Sequence, residues 1–216
     1  MTDTPGPTTR RRDARSNRGR ILATARQKLR DDPDASLDSI AVAAGVARRT
    51  FYGHFSSRQA LIADLTLEAA QTVHQAFAAS RIPDADPLEA MARMVLAAWA
   101  VGDQYRILVS LGRHHLGQET IRTTLAAARE EAIATLRRGQ REGVFAHHLP
   151  AQVLAQALEA LTLALAEEHS GSTWTDPTGE AAATAVLVAA GVAPPVAAIC
   201  ARNVLHESGQ QPSGPA

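Results

Sequence analysis

The stretch from Leu37 to Leu61, LDSIAVAAGVARRTFYGHFSSRQAL, constrains the fold of this chain more than any other. Gly45 stands where a first short helix has to stop, because glycine tolerates the positive φ of a sharp turn. A second short helix follows, with the sequence RRTFYGH. The first helix has apolar residues spaced along one face, at Leu37, Ile40, Ala41 and Ala44. Two short helices joined by a glycine turn predict a helix-turn-helix.

The second of these helices is predicted to have an inner and an outer face. Phe51 follows Val46 by five residues, and both are expected to pack on one core. Arg48, Arg49 and Tyr52 then share the outer face, since residues three and four apart are neighbours on a helix. Arginine forms paired hydrogen bonds to guanine or phosphate, which favours a DNA-reading role. In the alternative interpretation, the aromatic residues are ordinary core and the arginines are merely solvated.

Two segments, SIAVAAGVARRTFYGHF and SSRQAL, resemble the TetR-like family of one-component transcriptional regulators. The turn, aromatic, histidine and basic positions all fall in the family's register. The resemblance covers about the first third of the chain, and beyond it only length and helical pattern are similar. It implies an all-α fold, in which a three-helix head containing the helix-turn-helix is joined by a long fourth helix to a C-terminal bundle for ligand binding and dimerisation.

In this family the second helix of the unit enters the major groove of DNA. The resemblance therefore implies that Arg48 or Arg49 bonds guanine, and that Tyr52 and His54 contact backbone phosphates. Thr50 is expected to reach a phosphate or a thymine methyl group. The full set of expected DNA-binding residues is Arg10, Arg11, Arg12, Ser36, Arg48, Arg49, Thr50, Tyr52, His54 and Arg58.

Residues at the helix ends add further expectations. Arg58 takes the place where the family usually has lysine, in the first turn of helix four, and is expected to face a phosphate there. Ser56 and Gln59 fit a capping box for that turn, and Ser36 is the predicted N-cap of helix two. Asp38 departs from the family pattern, because some relatives carry a base-contacting residue at this position.

The charge distribution also points to a polyanionic partner. The chain has no net charge, but residues 1–58 carry twelve Lys/Arg against six Asp/Glu, and residues 59–216 carry ten against sixteen. A basic end on a neutral protein is typical of a local nucleic-acid footprint. The first fifteen residues lack apolar periodicity and are predicted to be disordered. Their arginines are expected either to follow DNA or to form a solubilising tail.

Composition and helix signals suggest four segments. Aromatic residues make up only 4% of the chain, and its alanine-rich apolar runs favour helices. Helix one is predicted to start near Ser16 or Asn17. The predicted segments are a disordered basic arm (1–15), a DNA-binding domain (16–62), an effector-binding and dimerisation domain (63–206) and a disordered tail (207–216). Later helices are predicted at 57–79, 87–101 and 150–169, with a short segment at 105–111. One more helix is predicted to end with Gly143 as its C-cap. Another is predicted to run from Asp176 as its N-cap to 190, and the last to end near His206.

The second domain is expected to bind a ligand and to dimerise. Helices near 151–169 and 178–190 are more apolar than exposed helices should be, which predicts a homodimer interface, with burial inside the monomer as the alternative. The middle helices are expected to line a cavity for a small apolar or amphipathic effector. Its expected wall residues are His74, Phe77, Met94, Trp99 and Tyr105, for which ordinary core packing is the alternative.

Other classes of function find little support in the residues. Adjacent histidines, at 114–115 and 147–148, point about 100° apart on a helix, so neither pair predicts a metal site. No nucleophile elbow or phosphate loop is present, so neither an enzyme nor a cofactor is expected. Cys200 is predicted to be a buried structural thiol, with a redox switch as the alternative. The chain has no apolar run of membrane-spanning length or signal-peptide pattern, and a cytoplasmic location without a membrane partner is expected.

These observations predict a ligand-responsive regulator. It is expected to bind a near-palindromic double-stranded operator as a homodimer, most simply as a repressor released by a small-molecule effector. One alternative is a helical small-molecule-binding protein with vestigial or non-specific DNA binding. A non-specific architectural DNA protein is disfavoured, because the second domain is acidic and large enough to hold a cavity.

Overall fold

The computed structural model describes residues 7–105, 119–120, 122–169 and 174–210, and the regular elements among them are helices. Residues 106–118 lie outside this part, and with them most of the short segment predicted at 105–111. The helices are α1 (Pro7–Asp31), α2 (Leu37–Ala43), α3 (Arg48–His54), α4 (Arg58–Ser80), α5 (Pro87–Gln104), α6 (Ala126–Arg141), α7 (Ala151–His169), α8 (Glu180–Ala189) and α9 (Pro194–Gln210). The described residues thus confirm the predicted all-α class.

Helix α1 starts earlier than predicted. Its backbone is helical from Pro7, so the prediction of a disordered arm over 1–15 is corrected for residues 7–15. Proline suits the first turn of a helix, and the arginine- and alanine-containing sequence that follows is compatible with a helix. The last helix likewise continues past His206 to Gln210. Residues 1–6 and 211–216 of the two predicted disordered segments lie outside the described residues.

The helix-turn-helix forms as predicted from its spacing. The Ser36 hydroxyl accepts a hydrogen bond from the Ser39 amide at 3.1 Å and so caps α2. Gly45 adopts φ +64°, and the next amide, of Val46, donates to the Ala41 carbonyl at 3.1 Å. Phe51 is fully buried, and this fixes the inner face of α3. The predicted cap, turn and buried face are confirmed.

The core of the N-terminal head extends into the second domain. The head consists of α1–α3 and the first turns of α4, and α1 contributes its apolar face to the head's core. The same cluster includes Leu65 of α4 and Val101 and Tyr105 at the end of α5. Because these residues come after position 62, the head and the second domain share apolar packing.

Helix α4 begins one residue later than its predicted capping box. Its N-cap is Ser57, whose hydroxyl accepts from the Ala60 amide at 3.1 Å. The box predicted from Ser56 and Gln59 is therefore wrong. The third residue of the helix, Ala60, has no polar side chain that could return a hydrogen bond to the cap.

Helix α5 lies at the centre of the second domain. It contacts α4, α6, α7, α8 and α9, and its apolar side chains contribute to the largest buried cluster. The C-cap of α6 is Glu142, and the predicted C-cap Gly143 follows it with φ +74°. Helix α8 starts at Glu180, with Gly179 rather than the predicted Asp176 as its N-cap. Asp176 still accepts hydrogen bonds from backbone amides at the start of this helix. The Asp176 carboxylate accepts from the amides of Gly179 at 3.0 Å and Ala182 at 2.8 Å.

Cys200, a residue of α9, is half-buried against this core. Burial raises the pKa of its thiol to about 11, and the nearby carboxylates of Glu89 and Asp86 act in the same direction. A thiol that stays protonated is a poor nucleophile and a poor redox sensor. This agrees with the structural role predicted for Cys200. Within the described residues, no helix combines the length and the apolar composition needed to cross a bilayer.

Two glycines of the head allow a matched test of the turn. Neither Gly45 nor Gly53 would bring an added Cβ within 4 Å of another group, but only Gly45 has a positive φ. Gly45→Ala is expected to lower the free energy of unfolding by about 1–2 kcal/mol, because an L-residue is strained there. Gly53→Ala, within α3, is expected to raise it by about 0.5–1 kcal/mol. Urea unfolding measures both, and equal shifts in one direction would contradict the turn assignment.

Candidate nucleic-acid interface and ligand cavity

The outer face of α3 presents the residues that the sequence predicted to read DNA. Arg48, Arg49 and Tyr52 are exposed, and Thr50 and His54 are half-buried. Phe51 and Phe55 fix this orientation, because both are fully buried on the opposite side of the helix. The packing of two phenylalanines thus turns the basic and aromatic groups toward solvent.

Asp38 of α2 binds two of these groups in the free protein. Its Oδ2 lies 3.1 Å from Nη2 of Arg48, and its Oδ1 accepts a hydrogen bond from the Tyr52 hydroxyl at 3.2 Å. The Arg48 guanidinium also lies over the Tyr52 ring, 5.6 Å from its centroid. One carboxylate therefore holds an arginine and a tyrosine of the outer face together. The sequence marked Asp38 as a departure from the family, but did not predict this cluster.

Arg58 is placed differently from its expected role. Its guanidinium donates to the backbone carbonyl of Ala35 at 2.6 Å and also to that of Pro33. These carbonyls belong to the loop between α1 and α2. The Arg58 side chain, half-buried, thus ties the start of α4 to that loop in the free protein, whereas the sequence predicted that it faces a phosphate.

The remaining expected DNA-binding residues lie nearer the edges of the head. Ser36 is exposed at the start of α2, where its hydroxyl is occupied by the Ser39 amide. Residues Arg10, Arg11 and Arg12 lie in the first turns of α1, and the positions of their side chains lie outside what the structure describes. The structure therefore groups Arg48, Arg49 and Tyr52 on one face but does not bring all ten expected residues together.

Ion pairs join α1 to α4. Arg18 pairs with Asp64, and Arg26 pairs with Glu68 at 2.6 Å. Asp64 and Glu68 are four residues apart, so they lie on the same face of α4. Together with the shared apolar core, these pairs fix the position of the head on the long helix.

A cavity of about 200 Å³ lies in the second domain between α4, α5, α6 and α7. Four of the five expected wall residues line it: Phe77, Met94, Trp99 and Tyr105. His74 does not, since it is exposed on another face of α4. His74 lies three residues before Phe77, so helical spacing placed it near the apolar stripe of α4. In the structure its side chain is exposed to solvent instead.

The wall also contains polar residues that the sequence reasoning missed. Arg129 of α6 forms two hydrogen bonds to Glu159 of α7, both 2.8 Å long. The Arg129 side chain is only 10% exposed, and its other nitrogen donates to the Arg122 carbonyl at 3.0 Å. Arg129, a charged residue inside an apolar helical stripe, was the sequence signal for this polar site. The pair itself was not predicted, because its partner Glu159 lies thirty residues further along the chain.

Trp99 is held rigidly in the wall. Its indole N–H donates to the Asp176 carbonyl at 2.8 Å, and the ring of Trp174 meets it edge-on at 5.9 Å. Gly179 lies so close that an added Cβ would come within 2.7 Å of the Trp99 ring. The loop before α8 therefore packs against this residue of the cavity.

The last helices combine buried and exposed apolar residues. Helix α8, within the predicted 178–190 segment, buries one face in the monomer through Ala182, Ala183, Val186 and Leu187, and it exposes Val188 at 36%. Other exposed apolar residues lie on α7 and α9: Val153 is 47% exposed, Val196 49% and Ile199 58%.

The histidine pair that the structure describes gives no metal geometry. His147 and His148 are exposed after α6, and among the described residues no three His, Cys, Asp or Glu side chains are placed to share an ion. The pair at 114–115 lies outside the described residues.

Comparison with known proteins gives one family and one fold. Residues 21–65 match the model of bacterial regulatory proteins of the tetR family. No curated protein gives a significant match. The solved structures of PfmR from Thermus thermophilus and LfrR from Mycobacterium smegmatis are 23% and 21% identical, with TM-scores of 0.62 and 0.63. The PfmR alignment covers 80% of this chain and 98% of PfmR. The LfrR alignment covers 83% of this chain and 96% of LfrR.

A third structure, of a TetR family protein from Vibrio parahaemolyticus, is 27% identical to this chain, with a TM-score of 0.58. The alignment covers 80% of this chain and 97% of that protein. The described residues form a helix-turn-helix head with an exposed α3, joined to a helical bundle that contains a cavity. The chain is TetR-like: residues 21–65 match that family's model, and most of the chain has the fold of solved TetR family structures.

The position of Arg58 gives a test of its role. Arg58→Ala is expected to lower the free energy of unfolding without DNA by about 1–3 kcal/mol, because two backbone carbonyls lose a charged donor. Arg49→Ala is the control, since Arg49 is exposed on α3. Its effect should stay within about 0.5 kcal/mol. Chemical denaturation measures both, and an Arg58→Ala protein as stable as the control would contradict the structural role.

Proposed function

We propose that this protein is a ligand-responsive repressor that binds a near-palindromic DNA operator as a homodimer. The observation that carries the proposal is the shared core between the head and the second domain, because the same residues, Val101 and Tyr105, also line the cavity. The proposed DNA-binding head and the proposed ligand cavity therefore share packed side chains.

For DNA recognition, the exposed face of α3 enters the major groove. Arg48 and Arg49 bond guanine O6 and N7, while Thr50, Tyr52 and His54 contact phosphates or a thymine methyl group. The arginines of α1, including Arg10, Arg11 and Arg12, extend the contact along the backbone. Ser36 and Arg58 contribute mainly by holding α2 and the neighbouring loop in place, which follows from their hydrogen bonds in the free protein.

Asp38 sets the positions of the reading groups. Its carboxylate fixes Arg48 and Tyr52 before DNA arrives, which lowers the conformational entropy lost on binding. Its negative charge also disfavours contact with any phosphate that is not compensated by a correct base contact. Asp38 thereby favours specific over non-specific DNA.

The dimer forms through the outer faces of α7, α8 and α9. The exposed valine and isoleucine side chains on these helices provide an apolar surface, and a two-fold arrangement pairs it with its own copy. Two heads on such a dimer reach successive major grooves about 34–36 Å apart.

The effector is a small organic molecule held in the cavity. LfrR, which has the same fold, has been solved in complex with proflavine, so this fold accommodates such a ligand. An occupied cavity favours a different position of α4, which changes the distance between the two heads. Release of DNA requires the ligand to bind the two states unequally, typically by about 1–3 kcal/mol.

The recognition surface can be tested with a selected operator. Selection from a random DNA pool is expected to yield a near-palindromic site, and Arg48→Ala and Tyr52→Ala are each expected to weaken binding to it by about 1–3 kcal/mol. Fluorescence anisotropy at fixed salt measures the affinities. Unchanged affinity in both variants refutes the assignment of α3. Weak, sequence-blind selection with a shallow salt dependence would instead favour a small-molecule-binding protein with non-specific DNA binding.

The dimer surface can be tested with a charge. Ile199→Glu is expected to raise the dimer dissociation constant by at least about tenfold, since an unpaired charge buried in the interface costs more than about 1.4 kcal/mol. Leu67→Glu is the matched control, because Leu67 is a 45% exposed apolar residue on α4. Sedimentation velocity gives both constants. Equal behaviour of the two variants would place the interface elsewhere.

A further inference from the structure

Tyr105 belongs to the cavity and to the head at the same time. Its ring forms part of the cavity wall, and the residue, only 3% exposed, packs in the same cluster as the head's core. It is the C-cap residue of α5, where the helix meets α1 and α4. A ligand in the cavity therefore touches a residue whose other contacts are in the DNA-binding head.

The Tyr105 hydroxyl joins three helices. It accepts a hydrogen bond from Nη1 of Arg26 at 2.8 Å and donates one to Oε1 of Glu68 at 2.9 Å. Arg26 and Glu68 are also paired directly at 2.6 Å, so the three groups form a closed triangle. The Arg26 guanidinium lies over the tyrosine ring as well, 5.1 Å from its centroid. Helices α1, α4 and α5 thus meet at one phenol.

This contact is directional, unlike the apolar packing around it. The side chains of Arg26 and Glu68 are 21% and 32% exposed, so their hydrogen bonds are partly shielded from water. Hydrogen bonds weaken steeply when the angle or the distance changes, whereas apolar surfaces can slide. A small shift of the Tyr105 ring is therefore enough to break its hydrogen bonds to Arg26 and Glu68.

The charges of the cavity wall restrict its ligand. Arg129 and Glu159, the charged residues of the described wall, neutralise each other through two hydrogen bonds. The remaining polar groups of the described wall include the hydroxyls of Thr66, Tyr105 and Thr162. A charged ligand would have to enter an apolar space without a free counter-charge from these residues, which is costly.

We propose that the cavity takes an uncharged, largely apolar molecule, and that Tyr105 is the residue that transmits its presence to the head. The ligand displaces the ring, or bonds the hydroxyl, and the bonds from Tyr105 to Arg26 and Glu68 are lost. This inference rests on the proposed function, since it specifies the ligand class and the coupling residue of the same cavity.

The ligand class is tested without DNA. The probes are N-phenyl-1-naphthylamine, which is uncharged, and 1-anilinonaphthalene-8-sulfonate, which has the same ring system with a negative charge. Fluorescence titration of the full chain is expected to show saturable binding of the uncharged probe and at least about tenfold weaker binding of the sulfonate, a difference of about 1.4 kcal/mol. Equal binding of the two, or no binding of the uncharged probe, overturns the assigned ligand class.

The coupling role is tested with Tyr105→Phe, which keeps the ring and removes the hydroxyl. In the wild type, saturating N-phenyl-1-naphthylamine is expected to weaken binding to the selected operator by about 5- to 150-fold. In Tyr105→Phe, at probe concentrations that saturate the variant, the effect of the probe on operator affinity should fall below about twofold. Glu68→Gln, which weakens the same triangle, should also reduce this effect and covers the case in which Tyr105→Phe fails to fold.

Thr162→Val is the matched control for the cavity. Thr162 also contributes a wall hydroxyl, but that hydroxyl bonds the Leu158 carbonyl of its own helix. The effect of the probe on operator affinity should persist in this variant, whatever the change in probe affinity. A full effect in Tyr105→Phe, or a probe that binds the wild type without changing its operator affinity, overturns the coupling role. Failure of the wild type to select any operator refutes the proposed function instead.

Discussion

The burial of Phe51 and Phe55 beneath α3 is the interaction on which the exposed face of that helix depends. Helix α3 has only seven residues, too few to be stable alone in water, so tertiary packing must hold it. Both rings are fully buried in a cluster that includes α1, the start of α4 and the end of α5. Helix α3 is thus positioned by residues far along the chain, and a change in the packing of the second domain can alter its position.

Polar contacts then decide how the basic residues of the head are used. Arg18 and Arg26 are ion-paired to α4, and Arg58 is bonded to carbonyls of the loop before α2. Net positive charge on residues 1–58 suggested a broad surface for DNA, but part of that charge holds the head together. The arginines of the outer face of α3 remain exposed, and Asp38 orients one of them.

The sequence predicted local features better than partners across the fold. The Ser36 cap, the Gly45 turn and the buried Phe51 depend on residues within a few positions of one another, so spacing was sufficient. Three expected wall residues, Phe77, Met94 and Trp99, lie on helices that the sequence predicted, whereas Tyr105 was expected in a separate short segment. The Arg129–Glu159 pair and the exposed position of His74 were not predicted, because they depend on how α4, α6 and α7 are rotated against each other.

By itself the sequence determined the all-α class, the helix-turn-helix and the basic, outward-facing residues of its second helix, because helical periodicity, a turn glycine and charge are local properties. Only the tertiary structure decided which apolar residues of α7, α8 and α9 are buried in the monomer and which are exposed. It alone brought Tyr105 onto Arg26 and Glu68, residues 79 and 37 positions away. Such contacts depend on how the helices pack around α5, and no short-range pattern in the chain specifies that packing.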